Sequence, residues 1–173
     1  MGHHPRKPNS RTDQTPRKPR RPQSLRLHEF DYRNPGPYHV ILGTHHRRPL
    51  LGCPPLAEHL IALLAGESAA TDACVYAYCL MPDHVHILIS PGANDSLIRF
   101  VQRFKSRAAR ISRQLGKEGK LWQRGFYDHI LRSEETVEVV ARYILGNPVR
   151  KGLARSTVEY PFSGSFVFDK AEL

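Results

Sequence analysis

Residues 73–90, ACVYAYCLMPDHVHILIS, decide how the rest of the chain is read. Two runs rich in β-branched and aromatic residues, ACVYAYCL (73–80) and HVHILIS (84–90), flank Met81-Pro82-Asp83, a connection short enough for a hairpin. Side chains alternate along a strand, so Val85, Ile87 and Ile89 share one face while His84, His86 and Leu88 share the other. The first face reads as core. The second carries two imidazoles whose bases lie about 6–7 Å apart at a rise of about 3.3 Å per residue, close enough to converge on one ion. An isolated His-x-His more often bonds to its neighbours or lines solvent, so the pair alone decides nothing.

The surrounding segments supply the partners of that hairpin. YHVILGT (38–44) has strand character, and PPLAEHLIALLAG (54–66) sets Leu56, Leu60, Leu63 and Leu64 at helical spacing, with prolines before it and Gly66 after it. SLIRFVQRFKSRAARISRQLG (96–116) is a long amphipathic helix whose apolar stripe is Leu97, Val101, Phe104, Ala108, Ile111 and Leu115. LWQRGFYDHILR (121–132) contains a short strand. SEETVEVVARYILGNP (133–148) is a helix capped by Ser133 that should end near Asn147, ahead of Pro148. The order β-α-β-β-α-β-α predicts an α+β, ferredoxin-like sandwich, with an antiparallel or mixed sheet and helices mainly on one face.

Charge and composition bound the function. The chain has 173 residues and a formal net charge of +10, which favours a polyanionic partner such as nucleic acid. Residues 1–26 hold eight Lys or Arg against one Asp13, together with five prolines and almost no large apolar side chain. Such a stretch cannot bury enough surface to offset its ordering entropy, so 1–34 is expected to be a disordered basic tail ahead of a single domain over 35–173. Cys53, Cys74 and Cys79 lack C-x-x-C spacing and support neither a disulfide framework nor a zinc ribbon. No apolar run approaches the roughly 18–20 residues that span a bilayer. The expectation is a soluble cytoplasmic protein, nucleoid-associated through its DNA and without a membrane partner.

A nucleophile and a third ligand can be sought on the last helix. Tyr143 and Asn147 are four apart and share a face, while Val137, Val140, Ala141 and Ile144 make the stripe that packs on the sheet. An Asn carbonyl oxygen could complete a two-His, one-oxygen site with open positions for a phosphate oxygen, and the phenol could stand beside it as nucleophile.

MPDHVHILISP, the basic helix, LWQRGFYDHILR, ARYILGNPVRKGLA and YPFSGS, in that order, resemble the REP-associated tyrosine transposases, the single-tyrosine branch of the His-hydrophobic-His (HUH) nucleases. The resemblance runs from about Tyr38 to Phe166. It implies His84, His86 and Asn147 as ligands of Mg²⁺ or Mn²⁺ and Tyr143 as the nucleophile. The implied activity is cleavage and strand transfer of single-stranded DNA, at hairpins of repetitive extragenic palindromes, through a 5′-phosphotyrosine intermediate. Monomer and homodimer both remain open. The alternative is a catalytically idle, domesticated nucleic-acid-binding protein that keeps the basic helix.

DNA contacts are expected from the long helix. Arg99, Arg103, Arg107 and Arg110 form a cationic stripe flanked by Lys105 and Arg113, and residues 95–124 hold nine basic side chains against two acidic ones. Arg124 extends this run. Tyr127 is the stacking candidate, with Trp122 and Phe126 assigned to the core. His129 is a candidate proton acceptor, with a structural hydrogen bond as its ordinary role, and His45-His46-Arg47-Arg48 is a polar loop that could also touch DNA.

Overall fold

The computed structural model describes residues 36–132, 134–171 and 173. The expected basic tail, 1–34, and the expected cap Ser133 lie outside the described residues. The elements are β1 Tyr38–Gly43, α1 Pro54–Thr71, β2 Cys74–Met81, β3 His84–Ser90, α2 Leu97–Gln114, β4 Tyr127–Ile130, α3 Val137–Leu145, α4 Asn147–Arg150 and β5 Ser163–Gly164. Two 3₁₀ turns, His45–Arg47 and Leu50–Gly52, lead into α1.

The sheet order is β4-β1-β3-β2-β5, with every neighbouring pair antiparallel. The expected ferredoxin-like arrangement is present, and the sheet is antiparallel rather than mixed. The YPFSGS segment contributes β5, which pairs Ser163 and Gly164 with Cys79 and Tyr78 along the outer edge of β2. Pro82-Asp83 closes the β2–β3 hairpin, with Met81 opposite His84.

The helices divide between the two faces of the sheet, where the sequence suggested mainly one. Val40, Leu42, Val85, Ile87 and Ile89 pack under Leu56, Leu60 and Leu64 of α1 and Phe100, Val101 and Phe104 of α2. Ala77, Cys79, Met81 and Leu88, on the opposite side of the same strands, pack under Ala141 and Ile144 of α3 and under Tyr160. The α3 stripe thus finds its own apolar patch on the face that carries His84 and His86, and this brings the last helix to the histidines.

Three boundaries depart from the sequence reading. Helix α1 continues through Gly66 to Thr71, because Glu67 turns inward to Arg103 Nε (3.1 Å) and Arg107 Nη1 (2.7 Å); Asp72, in left-handed backbone at φ 52°, closes it. Helix α3 starts at Val137, with the Thr136 hydroxyl accepting from Val139 N at 3.3 Å. It stops at Leu145, yet Asn147 stays helical as the first residue of α4, where proline is tolerated in the opening turn.

Phe104 is 1% exposed at the centre of the larger cluster. Phe104→Ala should cost about 3–5 kcal/mol, read as a lower urea midpoint at unchanged denaturant slope; a cost below about 1 kcal/mol would show that the α2 contact is dispensable.

Candidate active site

Strand pairing assembles the site before any side chain is considered. Gly43 lies opposite His84, Ile41 opposite His86, and His39 opposite Leu88. On the far side of β1, Tyr127 lies opposite Ile41 and His129 opposite His39. Directly paired residues point to the same face, so His39, His84, His86, Tyr127 and His129 all belong to the face that α3 covers.

Hydrogen bonds orient the imidazoles. Asp83 Oδ1 is 2.6 Å from His84 Nδ1, and His39 Nε2 is 3.0 Å from His86 Nδ1. With the Nδ1–H of His84 donating to Asp83 and that of His86 donating to His39, both Nε2 atoms keep their lone pairs. Those two atoms face each other at 3.0 Å. Opposed lone pairs at that distance need positive charge between them, supplied by a proton or a metal cation. Among the described residues no group of three His, Cys, Asp or Glu that could hold a metal ion is present, so these two imidazoles would need an oxygen donor beside them; the backing of each ring by a second group is the usual arrangement behind metal-bound histidine.

Burial keeps the His86 and His39 rings neutral. His86 is pushed down to about 3, first by burial and then by the charges of His84, His39, Arg150 and Arg47. His39 is lowered to about 4 by burial and by His129, against the opposing pull of Glu135. Asp83 sits below the usual carboxylate range: burial works to raise it, but the hydrogen bond and charge of His84 and the charge of Arg47 outweigh burial.

Helix α3 brings the phenol alongside. The Tyr143 ring is 53% exposed and meets the His39 ring edge-on, with centroids 6.4 Å apart. The Arg150 guanidinium lies 4.3 Å from the centre of the Tyr143 ring, and its Nη2 donates to the Tyr143 carbonyl at 2.5 Å. Asn147 is buried, and its amide nitrogen donates to the carbonyls of Ile144 (3.2 Å) and Tyr143 (3.3 Å), which turns its carbonyl oxygen away from the helix. Among the described residues no hydrogen bond links Asn147 to either histidine.

The other sequence candidates divide by location. Arg103 reaches Glu67 (3.1 Å) and Asp95 (2.5 Å), Arg107 reaches Glu67 (2.7 Å) and Arg99 approaches Asp95 (3.8 Å), all on the α1/α2 side of the sheet. Arg110 and Arg113 lie on that same helix. Lys105 donates to the carbonyls of Gln123 and Gly125, and the Trp122 indole donates to Lys105 O, so these residues pin the loop before β4. Trp122 and Phe126 are buried; Tyr127 is exposed on the histidine face, and Arg124 is exposed in the loop just before it. His129 Nε2 is 2.8 Å from Glu135 Oε2, which also accepts from Arg132 N.

Two residues at the site escape a linear reading. His39 looks like one polar residue in an otherwise apolar strand, and only the β1–β3 register sets it behind His86. Arg150 is seven residues after Tyr143, a spacing that would have suggested a shared helical face had the helix been continued past Pro148.

The buried imidazoles make stability pH-dependent. An unfolded histidine binds its proton near pH 6.5, whereas folded His39 and His86 do so only near 4 and 3. Below pH 6.5 the unfolded chain holds more protons, so their contribution is complete above 6.5 and is lost as pH falls through that window. Melting temperature in a chelating buffer should decline steadily from pH 6.5 to 4, and His86→Asn should flatten the decline; identical slopes for the two proteins would contradict the assignment.

Comparison with known proteins gives the same direction. Residues 35–147 match the family model described as "Transposase IS200 like". A Haemophilus influenzae protein assigned as a REP-associated tyrosine transposase is 29% identical over 110 residues, which cover 56% of this chain and 61% of that one. The REP-associated tyrosine transposase of Escherichia coli is 26% identical over 90 residues, covering 51% and 52%. The chain thus spans between half and two thirds of the length of these relatives. A solved structure of a REP-associated tyrosine transposase bound to a REP hairpin shares the fold, with a TM-score of 0.63 and 20% identity over 78% of this chain and 79% of the other. Since the family match takes in every element from β1 to the start of α4, the chain belongs to the IS200-like transposase family.

Proposed function

We propose that this chain is a metal-dependent single-stranded DNA endonuclease and strand transferase that acts on palindromic hairpins through a 5′-phosphotyrosine. The observation that carries the reading is the pair of opposed Nε2 atoms at 3.0 Å, on the same sheet face against which α3 sets an exposed Tyr143. The hairpin held by the structurally similar transposase supports hairpin DNA as partner. No described helix is long and apolar enough to cross a membrane.

His84 Nε2, His86 Nε2 and the Asn147 carbonyl oxygen would hold the ion. Mg²⁺ or Mn²⁺, when bound, withdraws charge from the scissile phosphate and orients it. Asp83 and His39 keep the two imidazoles in the ligating tautomer. The Tyr143 oxygen attacks phosphorus, the bond to the 3′-oxygen breaks, and that oxygen leaves as a hydroxyl after taking a proton. The phenol has a path to water for its own proton, because its ring is half exposed. As the phenol loses that proton on the way to attack, negative charge builds on its oxygen, and the Arg150 guanidinium over the ring stabilises it. A second 3′-hydroxyl attacking the phosphotyrosine reverses the step, rejoins strands and restores Tyr143. The linkage energy stays in the covalent intermediate, so no nucleotide triphosphate is consumed.

The test is covalent capture. Incubated with a single-stranded hairpin oligonucleotide and Mn²⁺, the protein should give a denaturant-resistant adduct that disappears in Tyr143→Phe, in the double variant His84→Ala, His86→Ala, and in chelator, while hairpin binding by Tyr143→Phe stays within about twofold. An adduct that persists in Tyr143→Phe would sink the nucleophile assignment. Hairpin binding by the unaltered protein without any metal-dependent adduct would establish instead an idle nucleic-acid-binding protein.

A further inference from the structure

Two loops that meet at one end of the sheet form a cationic surface that neither the fold nor the histidine site requires. The first follows β1 and contains His45, His46, Arg47 and Arg48; the second joins α2 to β4 and contains Lys117, Lys120 and Arg124. They are stitched into one unit. His45 N donates to Leu121 O (2.8 Å), Thr44 and Trp122 form a bridge, and Gln123 N donates to Gly43 O (3.0 Å). From below, the Lys105 ammonium holds the carbonyls of Gln123 and Gly125.

The first loop is held in an unusual shape. His46 and Arg47 are consecutive non-glycine residues in left-handed backbone, both at φ 56°. Such a pair persists only where the surroundings enforce it, and such strain concentrates at functional sites. Here the fully buried Thr44 hydroxyl donates to Arg48 O at 2.7 Å and closes the turn, leaving His46, Arg47 and Arg48 exposed.

Like charges gather in this unit, and among the described residues only Arg47 of its Lys and Arg side chains has an ion-pair partner, Asp83. Residues 45–48 and 117–124 carry five Lys or Arg against the single carboxylate of Glu118. Arg48, Lys120 and Arg124 are exposed, and none has an ion-pair partner among the described residues. The Arg48 guanidinium stands over Gly119, where an added Cβ would come within 3.7 Å of it. Burial and the neighbouring His46, Lys120 and Arg48 hold His45 below its ordinary pKa. Folding stability gains nothing from such crowding; an anion set among these groups would relieve it.

Location selects the anion. Gly43, which ends β1, lies opposite His84, and Arg47 Nη1 reaches Asp83 Oδ2 at 3.4 Å while Asp83 Oδ1 holds His84. The Gln123 side chain lies across Gly43 on the histidine face, and the exposed Tyr127 follows Arg124 at the start of β4. Cations spaced beside an exposed aromatic ring suit a nucleic-acid strand, with phosphates on the cations and a base against the ring. The α2 arginines are less suited. Arg99, Arg103 and Arg107 already face Asp95 and Glu67, and α2 covers the other side of the sheet.

We propose that Arg48, Lys120 and Arg124, framed by the 44–48 turn, form the phosphate track for the DNA strand that flanks the cleavage site, entering over the His84 end of the sheet. This rests on the reading of the histidine face as a DNA-processing site, but its test is binding and not chemistry. A fluorescein-labelled DNA hairpin with a single-stranded flank is titrated by anisotropy at several salt concentrations. Combined Arg48→Gln, Lys120→Gln and Arg124→Gln should weaken binding roughly tenfold or more and lower the salt slope by about 2, with an unchanged melting temperature. Arg99→Gln, Arg110→Gln and Arg113→Gln on α2 together should stay within about twofold. Arg48→Lys with Arg124→Lys, which keeps the charge, should retain the wild-type slope. Wild-type affinity in the loop triple variant, greater loss in the α2 triple variant, or no hairpin binding by the unaltered protein each overturns the track. Track-dependent binding without any covalent adduct would leave the track standing and remove the catalytic reading.

Discussion

Strand β3 is paired on both sides, to β1 from His84 to Ile89 and to β2 from His84 to Ser90, and the other elements take their positions from that double pairing. A one-residue slip would turn Val85, Ile87 and Ile89 out of the α1/α2 core and drive both imidazoles into it. Burying each of those aliphatic side chains contributes about 1.5–3 kcal/mol, and each imidazole left unpaired in the core would cost about 1–3 kcal/mol. The register is therefore chosen by several kcal/mol from both directions. Once it is set, His39 falls behind His86 and Gly43 beside His84, with no further choice to be made.

The two faces of the sheet then acquire different chemistry. On one, α1 and α2 bury a large apolar cluster, and part of the charge they bring is neutralised locally: Glu67, 2% exposed, answers Arg103 and Arg107, and Asp95 answers Arg99 and Arg103. On the other, α3 covers only a small apolar patch and leaves polar side chains beside it. Asp83 and His39 each take up the Nδ1 side of one imidazole, which leaves both Nε2 atoms directed at a shared point. Cover is partial: His86 is 6% exposed and held neutral, while Tyr143, edge-on to His39, is half exposed.

Much of this was legible along the chain because strands and helices impose short periods. Alternation in HVHILIS assigned the core face of β3 and the His84/His86 face, whereas the helix expected to carry both Tyr143 and Asn147 ends at Leu145, and Asn147 opens α4. Charge was harder to interpret. The α2 stripe reads as an unopposed cationic face, but Glu67, 36 residues before Arg103, and Asp95, just ahead of the helix, pair with Arg99, Arg103 and Arg107. The end of α1 was misjudged for the same reason: Gly66 looks like a helix stop until Glu67 is seen to be anchored by α2.

Local pattern by itself determined the element types and the order β-α-β-β-α-β-α up to α3, though not α4 or β5, and the face on which His84 and His86 lie, because these depend on side-chain period and turn residues within a few positions of each other. Tertiary structure alone decided which groups stand next to the histidines. The His39–His86 hydrogen bond joins residues 47 apart in sequence, α3 lies on the face opposite α1 and α2, and the 44–48 turn is bound to the 117–124 loop. Those contacts follow from antiparallel register and from the matching of apolar patches between distant elements. Neither has a local period, so neither leaves a trace in the sequence around the residues it joins.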